Sequence, residues 1–211
     1  MRLRIVLPPA ALWIMLRYFF LAVAVGCLGP YSYSYLERVT YQAWESRQFD
    51  RTLERTADAA RPAGYAVRQS PEVSGAVVGR LSVPRLHLFA MVREGVDRKT
   101  LLLAVGHIPA TALPGQPGNV GVAGHRDTFF RGLKDLKTGD EIEFSTLTGD
   151  FKYVVESLTV VEPDNMAVLA PSTQNVLTMV TCYPFYYIGN APKRFVVRAR
   201  QVVPQMLANM E

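Results

Sequence analysis

Cysteine and histidine are scarce in this chain. Its 211 residues hold two cysteines, Cys27 and Cys182, and three histidines, His87, His107 and His125. There is no disulfide framework, and a bridge between the two cysteines is not expected if Cys27 lies in lipid. No CxxC pair occurs, so a structural zinc site lacks its usual ligands. No cluster of carboxylates demands calcium. The expectation is no cofactor and no metal. Charge of one sign is also missing: 23 basic residues stand against 18 acidic ones, a net of +5. Arg2, Arg4 and Arg17 supply part of that excess from the N-terminus. There is no Lys/Arg block and no base-stacking signature, so nucleic acid is not an expected partner. With 49% hydrophobic and 19% charged residues, the composition is that of a folded protein.

What the sequence does have is one long apolar run. Residues 5–29 read IVLPPAALWIMLRYFFLAVAVGCLG. Arg17 interrupts it, and an arginine at mid-bilayer costs about 2.5–3.5 kcal/mol on insertion scales. A span over residues 12–33 places Arg17 about a turn inside, where it snorkels to the cytoplasmic face. The tyrosines of YSYSY, Tyr31 to Tyr35, then form the aromatic belt at the far interface. Arg2, Arg4 and Arg17 favour an inside N-terminus. The reading is a single-pass signal anchor with residues 1–11 cytoplasmic and the bulk of the chain outside. A cleaved signal peptide competes with it. So does a lipoprotein signal ending in AVGC, which Ala24, three residues before the cysteine, weakens.

Residues 34–75 read as a helical stalk and linker. Leu36, Val39, Ala43, Trp44 and Leu53 recur at loosely helical spacing. The segment TADAARPAGYAVRQSPEVSG is rich in Ala, Pro, Gly and Ser and reads as a linker. The folded domain is expected over residues 76–203, with 204–211 as a C-terminal tail. Its signals are mostly strands: AVVGRLSVPRL, LFAMVREG with His87 just before it in the same predicted strand region, GNVGVAGH ending at His125, DEIEFST, FKYVVESLTVVEP, NVLTMVTCYP and KRFVVRARQVV. DRKTLLLAVGH reads as one or two helical turns capped by Asp97, and FFRGLKDLKTGD as a short helix. Many short strands with few helices argue for a closed β-barrel in a mainly β fold.

NVLTMVTCYP raises the chemical question. A thiol at a strand end, before a proline and an aromatic loop, is where a nucleophile is presented. A free thiol is mostly protonated at neutral pH. It needs a cation to hold the thiolate or a base to take its proton. A histidine serves either role and can return the proton to a leaving amine. An arginine stabilises the oxyanion or holds a substrate backbone. Cys182, His125 and an arginine of KRFVVRA therefore form a sufficient acyl-transfer set. Alternatives stay open at this point. Cys182 can be a buried strand cysteine. His107, in VGHIPATALPG, rivals His125. Arg198 and Arg200 share the side-chain parity of Arg194. Asp127 can orient His125 or bind a cation.

The motifs narrow this. TMVTC (Thr178 to Cys182), GVAGHRDTFF around His125 and KRFVVRA around Arg194 resemble, in order and strand context, the sortases, cysteine transpeptidases of the bacterial cell surface. Met179 stands where that pattern has leucine. GHRDTFFRGL and TCYPFYYIG are most similar to class D sortases. The resemblance spans residues 76–203 and implies an eight-stranded sortase-type barrel with short helices behind the transmembrane helix. It implies Cys182 as nucleophile, His125 as acid/base and Arg194 as oxyanion or backbone partner, with Thr181 and Tyr183 contacting substrate and His107 structural or at the rim. It further implies, as substrates, secreted proteins with a C-terminal motif similar to Leu-Pro-x-Thr-Gly. A thioester would pass to an amine of a cell-wall precursor or a protein lysine. Three alternatives are a pilin-polymerising enzyme, a mainly hydrolytic one, and a catalytically silent binding module on the same fold.

Overall fold

The structure is a computed structural model and describes residues 9–59 and 75–202. Most of the linker read from the sequence, residues 60–74, and the tail 204–211 lie outside the described residues. The chain divides into two units, residues 1–40 and 41–211.

In the first unit a single helix dominates. Helix α1 (Pro9–Ala59) begins there and carries Pro30 inside it. Its N-terminal part is long and apolar enough to cross a membrane. Leu12, Trp13, Phe19, Phe20 and Leu28 are all exposed, which is what a lipid-facing helix requires.

In the second unit the remainder of α1 packs onto a barrel. Phe49 is buried, and the Arg80 guanidinium lies 5.5 Å above its ring. Arg80 also pairs with Asp50 at 2.9 Å. Gln42 reaches between two elements of the barrel unit: its Nε2 donates to the Leu103 carbonyl at 2.7 Å, and its Oε1 accepts from the Met91 N–H at 2.8 Å. This stretch is thus an integral layer of the folded unit.

The barrel strands are β1 (Val77–Val83), β2 (Leu88–Glu94), β3 (Val105–His107), β4 (Asn119–Ala123), β5 (Glu141–Thr146), β6 (Gly149–Val161), β7 (Val176–Tyr183) and β8 (Lys193–Val202). They close in the order β1-β2-β3-β4-β7-β8-β6-β5. The β2–β3 and β4–β7 pairs are parallel and the rest antiparallel. Helix α2 (Arg98–Leu103) makes the β2–β3 crossover, and the Asp97 carboxylate caps it by accepting from the Lys99 and Thr100 N–H groups. Alternate residues fill the barrel: Val92, Val122, Leu177, Met179, Val197 and Ala199 are buried in one core with Phe130, Leu133, Ile142 and Phe144. Met179 occupies the core position expected of it.

Three local expectations change. His87 is not in a strand. It is exposed and sits at φ +49°, where it ends the 3₁₀ turn Pro84–Leu86 between β1 and β2. The helix expected in FFRGLKDLKTGD is a 3₁₀ helix, Arg131–Asp135. Strand β4 ends at Ala123, so His125 lies just beyond it rather than at its tip.

Candidate active site

The ladder register decides where the site lies. Along β7, Leu177 and Met179 point into the core, so Val180 and Cys182 point outward. Strand β4 runs parallel to β7, with Ala123 opposite Val180. The pairing extends one step further, as Gly124 N–H donates to the Val180 carbonyl at 3.2 Å. His125 thus lies two residues past Ala123, as Cys182 lies two past Val180. On the other side of β7, Cys182 is the register partner of Arg194, and Val180 of Val196. Register partners share a face of the sheet. The topology therefore brings His125, Cys182 and Arg194 to one end of the β4–β7–β8 surface, on the outside of the barrel. All three are half-buried, and Cys182 is a free thiol.

The backbone carrying His125 is held on both sides. The buried Thr181 hydroxyl donates to the Gly124 carbonyl at 2.7 Å. The His125 carbonyl accepts from Thr128 and Phe130 N–H groups at 3.3 and 3.1 Å. Thr181 therefore ties β7 to the residue before His125, and its side chain points away from the face that carries the thiol. Tyr183 has the same parity. Its ring stacks on Phe195 at 6.3 Å and meets Phe185 edge-on at 6.0 Å, which closes that end of the core. The aromatic loop divides accordingly: Phe185 packs against the core, whereas Tyr186 and Ile188 are exposed. Asp127 is exposed.

The same face bears an apolar cleft of about 160 Å³. Ala123, Val180 and Val196 form its floor, and Arg194 lines it as well. The connection between β6 and β7, including the 3₁₀ helix Met166–Leu169, supplies one wall, and Val96 and Ile108 contribute to the rest. The Arg194 Nη1 donates to the carbonyls of Ala191 at 3.2 Å and Lys193 at 3.0 Å. An apolar trough with a fixed cation and a thiol on one sheet face suits an extended peptide with an electrophilic carbonyl.

His107, the rival histidine, is buried away from this constellation. Its Nδ1 lies 2.6 Å from the Glu94 carboxylate, and its Nε2 lies 3.0 Å from the Ala112 carbonyl and 3.1 Å from the Thr111 hydroxyl. A ring engaged at both nitrogens is structural. Among the described residues, no three His, Cys, Asp or Glu side chains converge on a possible metal site. Sequence reasoning passed over Arg126 and Glu94. The first follows the histidine directly in GHRD, but its role depends on a loop 60 residues away. The second is one carboxylate in a strand, and only the register of β2 with β3 pairs it with His107.

Residues 81–202 match the family model of the sortase domain. The chain belongs to the sortase family. Members of this family are cysteine transpeptidases. The chain is similar to sortase D of Bacillus subtilis (strain 168), with 32% identity over 130 residues that make up 61% of this chain and 66% of that one. It is also similar to sortase A of Bacillus anthracis, with 28% identity over 125 residues, 57% of this chain and 58% of the other. The matched stretch spans less than two-thirds of each of these relatives. Among solved structures, a Clostridium perfringens sortase D5 transpeptidase shares the fold at a TM-score of 0.62 and 23% identity, covering 79% of this chain and 99% of that one. The closed, mixed eight-stranded barrel matches the sortase fold.

Proposed function

We propose that this sortase is a membrane-anchored cysteine transpeptidase whose catalytic unit is the barrel of residues 76–203, with residues 12–33 as the anchor. The observation that carries the reading is the double register of β7, with Arg194 on one side of Cys182 and the β4 end bearing His125 on the other. As Cys182 Sγ attacks the scissile carbonyl carbon of a motif similar to Leu-Pro-x-Thr-Gly, its proton passes to His125. The carbonyl oxygen becomes an oxyanion within reach of the Arg194 guanidinium. Collapse breaks the C–N bond, and His125 gives its proton to the leaving amine. The thioester is then attacked by the acceptor amine, whose proton goes to His125. The amide product leaves, and the thiolate recovers the proton. The apolar floor of Ala123, Val180 and Val196 suits the leucine and proline of such a motif. Thr181 contributes through its main chain, and Tyr183 through the aromatic cluster that supports the thiol end of β7.

The three N-terminal arginines favour a cytoplasmic N-terminus, so the barrel faces the extracytoplasmic side, where secreted substrates and cell-wall or protein amines are found. The test uses the full chain in detergent with a Leu-Pro-x-Thr-Gly peptide and mass-spectrometric detection. The expected result is a peptide thioester on Cys182 and transfer to added glycine or lysine amines. Undiminished cleavage by Cys182→Ala overturns the proposal, and water as the sole acceptor assigns a hydrolase instead.

A further inference from the structure

The loop between β7 and β8, residues 184–192, joins Cys182 to Arg194. Phe185 anchors its start in the core, but its tip is exposed, with Tyr186 at 76% and Ile188 at 98%, so apolar burial does not hold the tip. It is held instead by basic side chains from the segment that follows His125. Arg126 donates from Nη2 to the carbonyls of Tyr187 at 2.7 Å and Gly189 at 3.0 Å. Its guanidinium also sits 6.0 Å from the centre of the Tyr187 ring. Lys134 donates to the Tyr186 hydroxyl at 2.7 Å. Arg194 engages the far side of the same loop through the Ala191 and Lys193 carbonyls. One short loop is thus the seat of two arginines, one from the histidine side and one beside the thiol.

The Nη1 of Arg126 is buried with no hydrogen-bond partner among the described residues. An unpaired buried donor is costly. It persists here because the other nitrogen makes two charge-assisted bonds to main-chain oxygens, a geometry that suits a planar guanidinium. The His125 backbone needs no such help, since Gly124, Thr128 and Phe130 already fix it. The element that depends on Arg126 is the loop.

We propose that Arg126 is a positioning residue for Arg194: it pins the carbonyls of residues 187 and 189, and so fixes the Ala191–Lys193 backbone on which the Arg194 guanidinium rests. The inference depends on the role given above to Arg194. A guanidinium displaced by about 1 Å from a developing oxyanion loses up to about 100-fold in rate, while the thiol and imidazole stay where they were.

The experiment compares the full-length wild type with Arg126→Ala, Arg126→Lys, Arg194→Lys and the Arg126→Ala/Arg194→Lys double variant. Two rates are read on Cys182: acylation by a Leu-Pro-x-Thr-Gly peptide and alkylation by iodoacetamide. Arg126→Ala is expected to acylate about 10–100-fold more slowly, with KM and the pH profile of alkylation unchanged. The double variant is expected to be no slower than Arg194→Lys, because the clamp acts through Arg194. Arg126→Lys keeps the charge without the fork and is expected to fall between wild type and alanine. It also supplies the result if the alanine variant does not fold. Acylation within twofold of wild type in both Arg126 variants overturns the inference. So does a full Arg126→Ala decrement that persists in the Arg194→Lys background. Wild-type acylation by Arg194→Lys removes the role of Arg194 itself and overturns the parent mechanism.

Discussion

Cys182 and Arg194 are register partners across the β7–β8 ladder, one step from the loop that joins them. Neither backbone can move along the sheet face without breaking that ladder, so the ladder sets where the two side chains start, and the Ala191 and Lys193 carbonyls set where the Arg194 guanidinium ends. Arg194→Ala is expected to slow acylation by about 10²–10³, the usual effect of removing a group that stabilises an oxyanion. Iodoacetamide alkylation of Cys182 is expected to stay near wild type, because alkylation develops no oxyanion. Acylation at the wild-type rate counts against the assignment.

His125 and His107 are separated by the same measurement. His125→Ala is expected to slow acylation of Cys182 by about 10²–10⁴, the usual effect of removing a general acid–base. His107→Ala is expected to leave acylation near wild type and to lower stability instead. It strips the partner from Glu94, which is 8% exposed. Leaving a buried polar group without its hydrogen-bond partner costs about 1–3 kcal/mol. Denaturant titration of the two variants reads the difference.

Asp140 gives a prediction for acid stability. Its carboxylate accepts from Arg85 Nε and Nη2, each at 2.5 Å, and from the Lys137 N–H at 2.7 Å. The Arg85 hydrogen bond in particular holds its pKa below the usual carboxylate range. A depressed value means the folded state gives up the proton more readily than the unfolded one. The contribution is therefore complete above about pH 4 and fades as the pH falls through the folded value. Asp140→Asn is expected to be less stable at neutral pH and to lose less on going from pH 5 to pH 3. Parallel curves for the two proteins count against the pair.

Gln42 tests whether α1 belongs to the catalytic unit. Gln42→Ala leaves the Met91 N–H, at a residue 1% exposed, without its side-chain acceptor. Its expected cost is about 1–3 kcal/mol. Phe49→Ala, at a residue 5% exposed, is expected to cost about 3–5 kcal/mol. A protein that begins after residue 75 should accordingly melt lower than one that begins at residue 41. Equal melting points mean that the helix is merely adjacent.

The parts of this molecule that were legible in the sequence are those carried by local pattern. Strand alternation around Leu177 and Met179, the Asp97 cap and the apolar run of 12–33 each need only a short window of residues. The closed barrel was legible in the many short strands with few helices between them, and the motif wording singled out Cys182, His125 and Arg194, which the topology brings to one face. What remained hidden depends on register between distant strands. Nothing near Glu94 announces His107, and nothing near Thr181 announces that its hydroxyl donates to the Gly124 carbonyl. Arg80, Arg85 and Arg126 carry no local signal, yet they hold a helix, a turn and a loop through partners distant in the chain.

Gly124 is where that register is most exposed to test. A Cβ added there would lie 2.9 Å from Phe130 Cδ2 and 3.1 Å from two further ring atoms. Phe130 is fully buried, so its ring has no free space to retreat into. At the same residue the N–H donates to the Val180 carbonyl and the carbonyl accepts from Thr181, so the backbone is also restrained. Gly124→Ala must therefore displace either the ring or the end of β4, and the next residue in the chain is His125. Overpacking of this kind costs about 1–3 kcal/mol. Acylation should fall further than the lost stability explains, because His125 moves relative to the thiol. Phe130→Leu in the same chain opens room for the added methyl. The double variant is expected to recover part of the acylation rate even though Phe130→Leu alone is destabilising. A Gly124→Ala protein with wild-type stability and wild-type acylation removes the close approach from the account of how His125 is held.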